Sequence, residues 1–199
     1  MESKLAVCSL LIVALSAQSR FTPGVKPFVT VDSPVVVLQH VRVIDGTGTE
    51  PREDQTVILD RGKISAMGPT ATTVEPAGAR IIDLSGSTVI PGIVGMHEHL
   101  FYPSGGGIPM YNEQAFSFPR LYLASGVTTA RTGGSLEPYT DLNVKRMIDN
   151  GSMPGPKLYV TGPYLEGPGS FAAQMHELTG PDDAKRTVEY WASEGVTSL

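Results

Sequence analysis

Residues 91–100 read PGIVGMHEHL, and this stretch decides the fold. Its apolar part, introduced by Pro-Gly, is typical of a buried strand that ends at two histidines. Side chains two residues apart on a strand project to the same face, so His97 and His99 are predicted to point the same way. Glu98 between them is expected to face helices or a neighbouring strand. Because imidazole binds zinc and similar divalent ions, we interpret the pair as half of a metal site.

Strands and helices alternate downstream of this stretch. The predicted elements are, in order, strand 93–99, helix 113–125, strand 127–132, helix 141–150, strand 157–161, helix 181–194 and the start of a strand at 196–199. Repeating βα units favour a parallel α/β fold. Their spacing fits a (β/α)₈ TIM barrel, which needs about 250 residues, or ~31 per unit. We predict that 91–199 is the truncated first half of such a barrel, covering about strands 1–4, with the histidines at its C-terminal mouth.

The segment 35–90 has the texture of a small β domain. Short runs rich in Val and Ile are separated by turn residues, as at Asp45-Gly46 and Arg61-Gly62-Lys63. The predicted strands are 35–44, 56–60, 64–67, 80–84 and 88–90. Strands at this spacing suggest a sandwich or a sheet, and we assign 35–90 as the N-terminal β-sandwich part of the protein.

The first nineteen residues have the layout of a secretory signal peptide. A short polar start with one lysine is followed by the apolar run 5–15 and by small residues up to Ser19. An uncleaved membrane anchor or a buried helix is the alternative for 1–19. Cleavage predicts a secreted or periplasmic protein without stable membrane association, and 20–34 is then a linker. Cys8 lies within this segment, so a metal in the mature chain needs His, carboxylate or modified lysine ligands.

Composition restricts the function classes. Hydrophobic residues make up 41% of the chain and charged residues 18%, which suits a folded protein. The net charge of −5 argues against nucleic acid as a partner, because nucleic-acid-binding proteins usually present a basic face. The expected partner is a small-molecule or dipeptide-like substrate, and a homo-oligomer is left open.

Three further residues are candidates for substrate binding. Arg131 lies near the end of the second strand of the α/β part, where it can hold a carboxylate with two hydrogen bonds; a structural ion pair is the alternative. Tyr102 and the glycines at 105–107 form a candidate substrate-facing flap. His176, in the loop 167–180, is a candidate to line the mouth, with a solvated loop pair as the alternative.

Five motifs make the stretch 41–199 resemble the amidohydrolase superfamily, closest to its imidazolonepropionase-like and Xaa-Pro dipeptidase-like members. They are VIDGTG (43–48), RGKI (61–64), PGIVGMHEHL (91–100), SGVTTAR (125–131) and GPKL (155–158). The resemblance implies a site of one or two divalent metal ions, usually zinc, at the mouth of a barrel. It also implies further ligands: a lysine on strand four, histidines on strands five and six, and an aspartate on strand eight that acts as general base.

The resemblance predicts a metal-dependent hydrolase of C–N bonds in peptide-like, N-acyl or cyclic amides. Export favours peptides or acylated amino acids as substrates. Of the implied ligands, His97 and His99 alone carry over, because 199 is the last residue before the expected lysine. We therefore expect an N-terminal fragment, with residues 20–199 inactive by themselves and the catalytic residues unassigned. A non-catalytic remnant or binding module, and a metal-free carbohydrate binder, are the alternatives.

Overall fold

A computed structural model describes residues 21–105, 110–170 and 172–199. The predicted signal peptide at 1–19 lies outside the described residues, as do Gly106 and Gly107 of the predicted flap. Within the described ranges, no helix has the length and apolar character needed to cross a membrane.

The described elements are, in chain order, a 3₁₀ helix (Lys26–Phe28), β1 (Val35–Val43), β2 (Arg52–Asp60), β3 (Lys63–Pro69), β4 (Arg80–Asp83), β5 (Thr88–Val89), β6 (Ile93–Glu98), β7 (Phe101–Ser104), β8 (Met110–Glu113), α1 (Ser117–Ala124), β9 (Val127–Thr132), α2 (Pro138–Asp149), β10 (Lys157–Tyr159), β11 (Leu165–Glu166), β12 (His176–Glu177) and α3 (Pro181–Glu194).

The strands β1 to β5 form one mixed sheet, in the order β3-β2-β1-β4 with β5 also paired to β1. β2 is antiparallel to β1 and β3, whereas β4 and β5 run parallel to β1. The β2–β3 turn is tight because Arg61 and Gly62 both have positive φ, 47° and 77°, as a type I′ hairpin requires. The described part of 35–90 is therefore a single sheet, and a second layer that would make it a sandwich stays a prediction.

The strands β6, β9 and β10 form a parallel sheet in the order β10-β9-β6. α1 lies between β6 and β9 in the chain, and α2 lies between β9 and β10. Beyond β10, Thr161 bridges Ser198 in parallel, at the position of the predicted fourth strand. The predicted α/β class is confirmed, and closure into a barrel stays a prediction.

The helices pack on one face of the parallel sheet. Ala130 and Leu158 are buried on that face, 0% and 1% exposed, in one cluster with Val144 of α2. Burial of each large side chain of this kind stabilises the fold by about 1.5–3 kcal/mol. The opposite face carries Val94 and Met96, which are 54% and 65% exposed. The covered face therefore holds this part of the chain together, and the open face is where the interior of the predicted barrel would lie.

A hairpin that the sequence did not predict follows the histidine pair. β8 pairs antiparallel with β7, with Phe101 opposite Glu113. The predicted helix 113–125 therefore begins only at Ser117. The prediction failed at this boundary because the pairing of β8 with β7 overrides local helix propensity. Helix α2 differs in the other direction: it begins at Pro138, before the predicted start, because proline suits a first turn whose N–H groups are unpaired.

The predicted linker 20–34 is partly folded within the described residues. Thr22 donates its backbone N–H to the Gly151 carbonyl, 3.2 Å away, and Val25 is only 3% exposed. A 3₁₀ helix follows at Lys26–Phe28. The segment therefore packs against the end of α2 instead of passing freely between two parts of the protein.

Candidate active site

His97 and His99 stand at the C-terminal end of β6, next to a bulge. Gly95 pairs with Ala130 of β9 and Glu98 pairs with Thr132, so three steps along β6 match two along β9. One extra residue in a strand bends it and redirects its side chains. Glu98 is thereby paired with the buried Thr132, and it lines the same open cleft as the two imidazoles.

The two imidazole rings lie close together at a steep angle. Their centroids are 5.1 Å apart and their planes are inclined by 88°. The His99 Nδ1 atom lies 3.4 Å from the Gly134 carbonyl oxygen, and the Tyr122 hydroxyl donates to the His99 carbonyl at 2.8 Å. These contacts fix His99 from two sides and leave its Nε2 free to bind a metal when Nδ1 carries the proton.

Gly133 and Gly134, which follow β9, leave room for the side chains that pack against them. A Cβ atom at Gly133 would lie 2.6 Å from Nε2 of His97, which is closer than real contacts allow. Gly134 has a φ of 116°, and a Cβ there would lie 2.7 Å from the Tyr164 ring. The Gly133-Gly134 turn therefore packs directly against His97 and Tyr164, and a side chain at either glycine would displace one of them.

The electrostatics of His99 favour its neutral form. Burial is the main cause that lowers the pKa of His99, and the nearby His97 lowers it further, while the contact with Gly134 acts in the opposite direction. A neutral imidazole is the form that binds a metal ion. The lowered pKa therefore suits His99 to metal binding near neutral pH.

The donor set fits one half of a metal site. Two nitrogen ligands on one strand suit zinc, and catalytic zinc usually has three protein ligands. Within the described ranges, no third His, Cys, Asp or Glu joins the pair. His97 and His99 can therefore begin a metal site, which needs ligands from elsewhere to be complete.

The cleft beside the histidines has a volume of about 430 Å³ and is mostly aromatic. Its remaining described lining is Glu98, Phe101, Tyr102, Pro103, Tyr111, Phe118, Tyr122, Leu136, Tyr164, Glu166 and Met175. Of the candidate substrate-binding residues, Tyr102 thus shares the cleft with the histidine pair. An aromatic cleft with a few polar side chains is typical of a small-molecule site.

The other two candidates lie elsewhere in the described structure. Arg131 is on the open face of the parallel sheet, beside Met96 and Tyr159, and donates to the Ser198 hydroxyl at 2.9 Å. His176 lies in a neighbouring cleft of about 530 Å³ with Trp191. Neither of these two residues lines the cleft of His97 and His99, so their roles in substrate binding stay predictions.

His176 is also part of a strand and not of a loop. β12 pairs in parallel with β11, placing His176 beside Leu165. Its Nε2 atom is 3.4 Å from the Thr187 hydroxyl and 4.0 Å from the Asp183 carboxylate. These contacts are weak and exposed, so His176 keeps a free imidazole face toward its own cleft.

Two buried acids were missed by sequence reasoning. Asp141 is 0% exposed in the first turn of α2. Burial raises the pKa of Asp141 to about 7, and the Ser135 hydroxyl offsets this only in part. Burial, with repulsion from Asp141 and then Glu137, raises the pKa of Glu113 to about 7 as well. One signal was available: Asp141 lies three residues from both Pro138 and Val144, on the buried face of α2.

Comparison with known proteins shows which enzymes the chain resembles. No protein-family profile matches the chain. The dihydroorotase of Pelobacter propionicus is 34% identical over 107 residues, which are 53% of this chain and 23% of the relative. The allantoinase of Streptomyces avermitilis is 36% identical over 94 residues, 47% of this chain and 19% of the relative. A crystal structure of a protein classed as a prolidase, from Bifidobacterium longum, matches with a TM-score of 0.67 and 27% identity, covering 81% of this chain and 39% of that one.

The chain is thus an α/β protein with a histidine pair at the end of a parallel strand. It is similar in sequence and in fold to amidohydrolases, which confirms the resemblance predicted from the motifs. It spans 23% of the dihydroorotase and 19% of the allantoinase.

Proposed function

We propose that the chain belongs to a metal-dependent hydrolase that cleaves a C–N bond of an amide, and that it supplies the first two metal ligands. The observation that carries the proposal is the pair of neighbouring imidazoles, 5.1 Å apart, in an aromatic cleft at the end of a parallel strand. The similarity to a dihydroorotase and an allantoinase supports this type of chemistry.

We also propose that the parallel sheet is the beginning of a (β/α)₈ barrel. Three parallel strands with their helices on one covered face, and the bridge from Thr161 to Ser198, support this architecture. The active sites of such barrels lie at the C-terminal ends of the strands. His97 and His99 stand at that end of β6, which is consistent with a role in catalysis.

His97 and His99 would hold a divalent ion, with zinc the best match to nitrogen ligands. A bound ion of this kind supplies a hydroxide near neutral pH and polarises the scissile carbonyl. The chain itself orients the ligands through Gly134 and Tyr122, and its aromatic walls exclude water from a bound substrate. Export through the signal peptide, to a secreted or periplasmic location, is part of the same proposal.

The proposal is tested by metal content and hydrolysis of the complete gene product. We expect stoichiometric zinc or a similar ion, and hydrolysis of dipeptides, N-acyl amino acids or cyclic amides that a chelator abolishes. His97→Ala and His99→Ala should each remove activity and bound metal. His40→Asn is the matched control, because His40 lies exposed on β1 beside Asp54, and asparagine tolerates its positive φ of 56°.

Retention of metal and activity in both histidine variants would overturn the proposal. A folded protein that binds substrate analogues without metal would support a binding module instead. Residues 20–199 alone should be inactive, since two imidazoles leave a catalytic zinc short of its usual ligands.

A further inference from the structure

The aromatic rings of the cleft form one connected group around the histidines. Phe101 lies 4.6 Å from the His99 ring, and its centroid is 5.4 Å from Tyr111 and 6.4 Å from Tyr164. Phe101 is buried among these rings, whereas Tyr111 and Tyr164 are only half-buried, so the two tyrosines are the rings that a bound ligand can contact. The faces of aromatic rings carry partial negative charge and attract cations. The cleft therefore offers a surface that suits a positively charged group.

Glu166 adds a full negative charge to the same cleft. It is half-buried at the end of β11 and lines the cleft, and within the described part of the chain its carboxylate makes no hydrogen bond or ion pair. Its neighbour in parallel register, Glu177, already has hydrogen-bond partners. The Glu177 carboxylate accepts hydrogen bonds from the backbone N–H groups of Gly169 and Ser170 at 3.0 and 2.9 Å. Glu166 is thus free to bind a ligand.

The rest of the lining does not balance this charge. The described lining residues include no lysine or arginine. The second acid of the cleft, Glu98, interacts with the Tyr122 hydroxyl and adds a further negative charge to the lining. Glu166 also lies beside the acid Glu177 on the neighbouring strand, and like charges at adjacent positions of a sheet repel. A bound cation would relieve this repulsion, whereas a bound carboxylate would increase it.

We propose that Glu166, together with the rings of Tyr111 and Tyr164, binds the ammonium group of a substrate in the cleft of His97 and His99. This inference rests on the proposed function of that cleft and narrows the substrate class. It selects a peptide or amide with a free amino group over N-acylated and anionic cyclic amides. Glu166 is then a specificity residue, positioned to hold the amino end while the amide carbonyl lies at the histidines.

The test uses two probes that differ in charge and share the same ring. Phenethylammonium is charged at pH 7, and N-acetylphenethylamine is its uncharged counterpart. Binding of each to the metal-free full chain is measured by NMR chemical-shift titration, which needs no hydrolysis. We expect the ammonium probe to bind about tenfold or more tightly than the acetylated one, the effect of one hydrogen bond to a charged group.

Glu166→Gln should remove that preference, because the amide keeps the shape of the side chain and loses its charge. Glu189→Gln is the matched control: it removes an exposed acid of α3 that pairs with Lys185 outside the cleft. The control should keep the full preference. Equal binding of both probes, no saturable binding of the ammonium probe, or a preference that survives in Glu166→Gln would each overturn the inference.

The outcome is separable from the test of hydrolysis. If the ammonium preference depends on Glu166 while no metal-dependent hydrolysis is found, the cleft binds amines and the proposed function is wrong. If hydrolysis is found with equal rates for free and N-acetylated dipeptides, the proposed function stands and the role of Glu166 is wrong.

Discussion

Gly133 lies directly against the imidazole ring of His97. A Cβ atom at position 133 would come 2.6 Å from both Nε2 and Cδ2 of that ring. The backbone of Gly133 cannot easily retreat, because its N–H donates to the Glu98 carbonyl at 2.8 Å. The position of His97 therefore depends on a residue that has no side chain.

Gly133→Ala is expected to displace the His97 ring and weaken metal binding. Changes that reorient a metal ligand typically reduce affinity by about 10- to 100-fold. Zinc affinity of the complete protein is measured by competition with a chromophoric chelator. Gly24→Ala is the control, since a Cβ at Gly24 meets no atom within 4 Å. An affinity that is the same in both variants would contradict the role given to Gly133.

Tyr122→Phe is expected to remove a hydrogen bond that holds the backbone of His99 in place. The Tyr122 hydroxyl donates to the His99 carbonyl at 2.8 Å, and burial is the main cause that raises the pKa of Tyr122 to about 12. The hydroxyl thus stays a donor at all ordinary pH values. Its removal should lower the free energy of unfolding by about 1 kcal/mol, measured by urea titration.

Tyr159→Phe is the control for this measurement, because Tyr159 is 40% exposed on the open face of the sheet and away from the histidines. It should leave the free energy of unfolding nearly unchanged. Equal losses in the two variants would show that the hydroxyl of Tyr122 does not anchor His99.

The sequence of β6 predicted the histidine pair and missed the way in which the strand presents it. Alternation along a strand puts residues two apart on one face, and His97 and His99 do line one cleft. The bulge between Gly95 and Glu98 was invisible because it exists only in the pairing with β9. A bulge belongs to two strands at once, so the pattern of one strand cannot reveal it.

The same limit explains why two residues that line the cleft, Tyr111 and Glu166, were not predicted from the sequence. Tyr111 and Glu166 reach the histidines only because β8 folds back on β7 and β11 pairs with β12. Each pairing joins short segments that have no strong strand pattern of their own. The βα alternation, by contrast, repeats over long segments with clear periodicity, and it predicted β6, β9, β10 and α3 within two residues.

Truncation of a side chain should cost much more unfolding free energy on the helix-covered face of the parallel sheet than on its open face. Leu158→Ala removes a side chain that is 1% exposed beneath the helices, and should cost about 2–5 kcal/mol of unfolding free energy. In residues 20–199 by themselves, Val94→Ala changes a side chain that is 54% exposed on the other face, and should cost under about 0.5 kcal/mol. Urea unfolding at pH 7 compares them. A large loss of unfolding free energy for Val94→Ala would mean that another polypeptide segment or a second molecule covers the open face in solution.

Asp141 should make the protein less stable as the pH rises. Its pKa is raised from 3.8 to about 7, so between these values the native state holds a proton that the unfolded chain releases. Stability is then fully present below about pH 4 and is lost as the pH passes through about 7. The buried pair with Glu113, whose pKa is also about 7, acts in the same direction.

Asp141→Asn is expected to flatten this dependence. The asparagine amide carries no charge at any pH. Without the Asp141 carboxylate, the repulsion that acts on the Glu113 carboxylate is also smaller. The variant should unfold in urea like the parent at pH 5 and be more stable at pH 8, by an amount on the order of 2–3 kcal/mol. Asp182→Asn, at an exposed first-turn acid of α3, should keep the parental fall in stability. Parallel curves for the parent and Asp141→Asn would show that Asp141 is ionised in the native state at both pH values, and that its burial is compensated by a partner.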